Sequence, residues 1–261
     1  MKKMPVLFVG HGNPMNALDK NSPFNQNFRQ TTQTFEKPKA ILMISAHWYS
    51  SRLQVTSGES PPMIYDFHGF PEELSQVQYP AQGSPELAEK VRSLLAPESV
   101  EMNPTRGFDH GAWTVLKYLY PDADVPVVQL SINRLQPAEW HFALAKKLAP
   151  LRDEGVLIIG SGNIVHNLRA ISWEHINQIG AGYDWAFAFR NEINQAIDAQ
   201  NDDLLVHYGQ LGENAELAVP TPDHYLPLLY VMALREPSDK VAFFNDELMA
   251  GSLSMTSVLI G

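Results

Sequence analysis

The sequence contains no cysteine among its 261 residues. That absence excludes a disulfide framework, thiolate zinc or iron–sulfur sites and a cysteine nucleophile. Any metal must then be held by His, Asp or Glu. Basic residues are also scarce, with 19 Lys and Arg against 29 Asp and Glu and a formal net charge of -10. No Lys/Arg cluster tracks a phosphate backbone, so nucleic acid is not an expected partner. No apolar run approaches the roughly 20 residues of a membrane span. The opening lysines resemble the start of a signal peptide, but the apolar run of residues 5–9 meets Gly10-His11-Gly12 too early for its hydrophobic region. A cytoplasmic protein with no membrane partner is expected. Internal repeats and flexible linkers are missing as well, and a 44% hydrophobic content is enough for one sizeable core, so 1–261 reads as a single domain.

What is present is a set of short runs that are apolar on consecutive residues, the pattern of strands covered on both faces. They are PVLFV (5–9), AILMIS (40–45), VPVVQLS (125–131) and GVLIIGSG (155–162). Helix-like stretches lie between them: 84–95 opening on Ser-Pro, 111–120 ending at Pro121, and 137–151 with apolar spacing near 3.6. The alternation predicts an α/β fold, a central mixed but mostly parallel sheet flanked by helices, with the late runs 241–245 and 252–260 as antiparallel edges. In such sheets ligands bind beyond the carboxyl ends of the strands.

Histidines stand at three of those ends. His11 follows PVLFVG, His47 follows AILMISA and His166 follows LIIGSGNIV. Gly10 and Gly12 permit a tight turn around His11. In TPDHYLPLLYVMAL (221–234), Thr221 reads as an N-cap and Pro222 as the first helical residue, which puts His224 in the first turn, where the helix dipole disfavours imidazolium. One histidine near a strand end is ordinarily a hydrogen-bonded structural residue. Four together in a cysteine-free chain meet the needs of an imidazole metal site, suited to Fe, Zn, Cu or Ni. In RGFDHGAW, either Asp109 or His110 simply caps the following helix, or His110 turns its ring into the same cleft. His68, in the aromatic loop YDFHGFP, either walls a pocket or packs over the core. His141, His175 and His207 carry no motif and read as structural. Ser161 lacks the G-x-S-x-G elbow of a serine hydrolase and reads as a turn residue.

Together FVGHGNP, ISAHW, YDFHGFP, FDHGAW, IGSGNIVHNL and TPDHYLPLL resemble, in order and over most of the chain, the class III extradiol ring-cleavage dioxygenases, and among them the 4,5-DOPA dioxygenase extradiol subfamily. The resemblance implies a mononuclear non-haem metal held by His11, His47 and His224. It makes His166 the catalytic base, able to act as a fourth ligand, and His110 a second proton-transfer residue. Trp48, Tyr65, Phe67 and His68 are implied as substrate contacts. Fe(II) is the implied working metal, with Zn(II) able to occupy the same site; a catechol and O2 are the implied substrates, with L-DOPA the eponymous one. Members such as protocatechuate 4,5-dioxygenase complete the site with a glutamate, whereas here the third ligand is His224. Three other readings fit the residues: a zinc hydrolase on the same scaffold, a metal chelatase built on the Gly-His-Gly turn, and a non-enzymatic metal-binding protein.

Overall fold

Among the described residues ten strands follow one another in the order β1 (Val6–Gly10), β2 (Ala40–Ser50), β3 (Gln54–Thr56), β4 (Glu101–Asn103), β5 (Val127–Asn133), β6 (Val156–Gly162), β7 (Val241–Phe244), β8 (Leu248–Met249), β9 (Leu253–Ser254) and β10 (Ser257–Ile260). The structure is a computed structural model that describes residues 2–261. Eight strands form one sheet in the order β4-β3-β5-β2-β6-β1-β10-β7, and β8 and β9 form a separate hairpin. β5, β2, β6 and β1 run parallel at the centre. β10 joins β1, and β7 joins β10, antiparallel on one side; β3 pairs antiparallel with β5 on the other.

The central strands are apolar on consecutive residues because each face meets a different core. Leu7, Val9, Ile41, Met43, Leu157 and Ile159 pack with Phe28, Ala112, Trp113 and Leu116, from the helices Pro23–Thr32 and His110–Leu119. Their neighbours Val6, Phe8, Leu42, Ile44, Val128 and Ile158 pack with Phe142, Phe189, Ile193 and the helix Leu226–Met232. A one-residue slip would exchange the two faces of a strand, so both cores fix the register and with it the position of each strand end.

Several details depart from the sequence reading. β2 runs to Ser50, so His47 lies inside the strand rather than beyond it. Ile44 pairs with Leu130 and Tyr49 with Ile132, and over that interval β2 carries extra residues that interrupt the ladder at His47. The run 252–260 breaks into β9 and β10, and β10 lies inside the sheet, leaving β7 as the edge. The single helix expected over 221–234 is a 3-10 turn, Pro222–His224, followed by the helix Leu226–Met232. Pro227 explains the break: it has no N–H to donate, and its ring would clash with the carbonyl of Asp223 in a continuous helix.

Candidate metal centre

Five histidines converge beside the carboxyl ends of β1 and β6, His47 reaching them from within β2. The ring centroids of His11, His47 and His224 form a nearly equilateral triangle with sides of 5.0, 5.2 and 5.0 Å. His110 lies 3.8 Å from His47, and His166 stacks on His224 with centroids 3.5 Å apart and planes 4° from parallel.

Local structure explains each placement. His11 follows β1 directly, and Gly12 takes a φ of +62°, a conformation glycine adopts at no steric cost. His224 is brought in by the 3-10 turn, which presses so closely on β6 that a Cβ at Gly162 would stand 2.1 Å from the His224 carbonyl oxygen. His110 is the first residue of its helix, while the buried Asp109 before it caps that helix by accepting from the Ala112 N–H at 3.2 Å. Both readings of this motif therefore hold, divided between neighbouring residues. Asp109 also accepts from Ser45 Oγ at 2.6 Å and from Gln129 Nε2 at 2.8 Å, tying the helix start to β2 and β5.

The hydrogen bonds assign the ring tautomers. Ser161 Oγ donates to the Gly111 carbonyl at 2.6 Å, so it accepts from His11 Nδ1–H at 3.1 Å. Ser161 is thus a buried residue of β6 that orients His11, and not the turn residue expected; its place between two paired strands leaves its side chain facing the ring. His224 Nδ1 donates to Asp223 Oδ2. His47 Nδ1 faces Asp66 Oδ2 at 3.6 Å. In His11 and His224 the proton therefore sits on Nδ1 and the Nε2 lone pair is bare, while His47 turns its Nδ1 towards the Asp66 carboxylate from beyond hydrogen-bond reach. The Nε2 atoms of His11 and His47 stand 3.1 Å apart, and His224 Nε2 is buried with no hydrogen-bond partner.

The close His11 and His47 Nε2 pair and the unsatisfied His224 Nε2 fit a cation: two imidazoles that share one at about 2.1 Å in adjacent positions hold their nitrogens about 3 Å apart. The second residue behind each ring, a serine or a carboxylate, is the usual support of a metal-ligating histidine. Burial, followed by the charge of neighbouring rings, holds His11 and His224 well below the ordinary histidine value. Burial lowers His47 in the same direction, and it pushes His166 down to about 4 against the opposing pull of Asp223. The rings are therefore neutral at pH 7, as ligation requires. The expected neutrality of His224 holds, although burial and not a helix dipole is its main cause.

The aromatic loop contributes unequally. Phe67 meets His110 edge-on at 5.8 Å. Tyr65 packs on Phe67 and Trp113 and donates its hydroxyl to the Val77 carbonyl at 2.7 Å. Trp48 is buried beneath the Arg106 guanidinium at 4.8 Å, and His68 is exposed. His141 is fixed between the Asn133 carbonyl and the Tyr230 hydroxyl, a structural place, as are the surface positions of His175 and His207. The sequence reading passed over Asp66 and Asp223, and gave Asp109 only a capping role. Each stands inside a motif already quoted, beside the histidine it supports or in the aromatic loop.

The chain matches, over residues 5–225, the family model described as the catalytic LigB subunit of aromatic ring-opening dioxygenase. It is 44% identical over 263 residues to 4,5-DOPA dioxygenase extradiol of Escherichia coli (strain K12), covering 99% of this chain and 95% of that protein. It is 38% identical over 259 residues to 4,5-DOPA dioxygenase extradiol of Beta vulgaris, covering 97% and 94%. A crystal structure of an uncharacterized protein from Escherichia coli K12 superposes with a TM-score of 0.86 at 41% identity, covering 99% of this chain and all of that one.

Proposed function

The chain belongs to the LigB family of aromatic ring-opening dioxygenases, and from that premise we propose that it cleaves L-DOPA between carbons 4 and 5, beside the two hydroxyls, to 4,5-seco-DOPA with Fe(II) as its working metal. The observation that carries the reading is the convergence of the His11, His47 and His224 rings, with the Nε2 atoms of His11 and His47 3.1 Å apart and His224 Nε2 buried without a partner, and with two further histidines packed against them. His11, His47 and His224 would hold the metal. Fe(II) supplies the redox chemistry that lets triplet dioxygen react with a catechol, and Zn(II), which the same donors accept, does not.

The remaining residues handle protons and the ring. His166 is neutral down to about pH 4 and so is free to take a catechol proton on its ring. His110 donates its Nδ1–H to Asp66, which leaves Nε2 to exchange a proton with the opening ring. Phe67 is the best supported of the expected substrate contacts, because its edge lies against His110. Tyr65 braces Phe67, while Trp48, next to His47, and His68, next to Phe67, are further proposed contacts. A cysteine-free chain with no helix among the described residues long and apolar enough to cross a membrane suits the proposed cytoplasmic location.

The test is turnover of L-DOPA by protein loaded anaerobically with Fe(II) and then exposed to O2. The expected product carries both oxygen atoms, is opened beside the hydroxyls, and cyclises onto its own amine. Opening between the hydroxyls would overturn the extradiol assignment. Cleavage of other catechols with none of DOPA would overturn the substrate.

A further inference from the structure

We infer that Asp66 is a positioning residue that sets which ring nitrogen of His110, and of His47, faces the reaction. The inference rests on the reading of this pocket as the catalytic centre. Asp66 lies on the aromatic loop, in no strand or helix, yet its carboxylate reaches two histidines carried by different elements. Oδ1 accepts from the backbone N–H of His110 at 2.9 Å and stands 3.0 Å from His110 Nδ1. Oδ2 stands 3.6 Å from Nδ1 of His47.

A carboxylate can only accept, so at 3.0 Å His110 Nδ1 carries the hydrogen, and at 3.6 Å, beyond hydrogen-bond reach, the negative carboxylate favours the hydrogen on His47 Nδ1 as well. With Nδ1 occupied on both rings, Nε2 is the nitrogen left bare on each: on His47 it meets His11 Nε2 at 3.1 Å, and on His110 it is left for substrate. One carboxylate thus prepares a metal ligand through one oxygen and a proton-transfer residue through the other. The same contact joins the loop bearing Phe67 to the first turn of the helix bearing His110, so the proposed substrate wall and the proton-transfer ring are held as one unit.

A role confined to holding the loop would be met equally by asparagine, whose oxygen also accepts from the His110 backbone N–H. The two roles separate in ring-nitrogen NMR of the metal-free protein at a pH where the rings are neutral, with His110→Gln and His47→Gln used for assignment. In the wild type His110 and His47 are expected as Nδ1–H tautomers. In Asp66→Ala, His110 is expected to shift to a mixture with a severalfold larger Nε2–H share. Asp66→Asn is expected to keep the His110 tautomer through its oxygen, while setting an amide donor against His47 Nδ1–H and shifting that ring.

In Fe(II)-loaded protein Asp66→Ala is expected to lose about 10- to 100-fold in kcat, the usual effect of removing such a partner, with KM for the catechol within about threefold. Asp66→Asn is expected to recover part of the lost kcat. Wild-type His110 found as Nε2–H would overturn the inference, whether or not Asp66→Ala folds. An Asp66→Ala protein with an unchanged His110 tautomer would overturn it equally. The NMR arm needs neither metal nor substrate, so a failure to cleave catechols refutes the proposed function without deciding this point.

Discussion

His224 and His166 are stacked ring on ring, yet their surroundings give them opposite assignments. His224 is buried, donates Nδ1–H to Asp223 and has a buried Nε2 with nothing to bind. His166 is only partly buried and has no such carboxylate partner at Nδ1. His224→Ala is therefore expected to reduce bound metal, measured by elemental analysis after reconstitution and desalting, from about one per chain to near zero, with loss of turnover. His166→Ala is expected to keep most of the metal and lose about 10²- to 10⁴-fold in kcat, the range for an acid–base residue. Metal loss in His166→Ala with retention in His224→Ala would reverse the two roles. At this scale the sequence was most informative about the histidines, because strand ends in a parallel sheet converge. It was least informative about Asp66 and Ser161: their importance depends on which side chain each meets across the fold, and no spacing within the chain encodes that.

Among the elements, the central strands were legible because burial on both faces demands unbroken apolar runs, while the places where elements stop were less so. The extension of β2 past Ser45 carries the polar residues His47, Tyr49 and Ser50, which an apolar-run criterion cannot follow; His47 meets other site histidines, while Tyr49 packs on the core. The break at Pro227 was visible in TPDHYLPLL, but Thr221-Pro222 is itself a strong helix-start signal and masked it. The contact between the 3-10 turn and β6 carries its own prediction. Gly162→Ala would place a methyl group against the His224 backbone carbonyl, an atom that cannot swing aside. The variant is expected to lose about 1 to 3 kcal/mol in stability by denaturant unfolding, the ordinary cost of overpacking, and to bind metal more weakly. Unchanged metal affinity would mean that the turn does not depend on this close approach.

In the molecule as a whole, the clustered rings couple stability to pH. His11, His47, His166 and His224 are held below the ordinary histidine value by burial, and His141 is pushed down to about 4 by the same cause. Above pH 6.5 neither the folded nor the unfolded chain protonates them, and their contribution is complete. Below it the unfolded chain takes up protons that the fold refuses, so stability falls as pH drops from 6.5 towards 4, by about 1.4 kcal/mol per pH unit for each such proton. The thermal midpoint of the metal-free protein is expected to be nearly flat from pH 7 to 8 and to fall steeply from 6.5 to 5; a midpoint unchanged between pH 7 and 5 would contradict the neutral assignment.

The family match resolves what composition left open, since the hydrolase, chelatase and non-enzymatic readings all fitted an imidazole-rich pocket in a cysteine-free chain, whereas membership in the ring-opening dioxygenases selects one chemistry. That selection is tested most directly by oxygen-electrode measurement on protein reconstituted anaerobically with Fe(II) and given a panel of catechols. One O2 consumed per ring opened, with none consumed by the metal-free or His224→Ala protein, is the predicted result. No uptake with any catechol, from protein shown to hold one Fe(II) per chain, would contradict it.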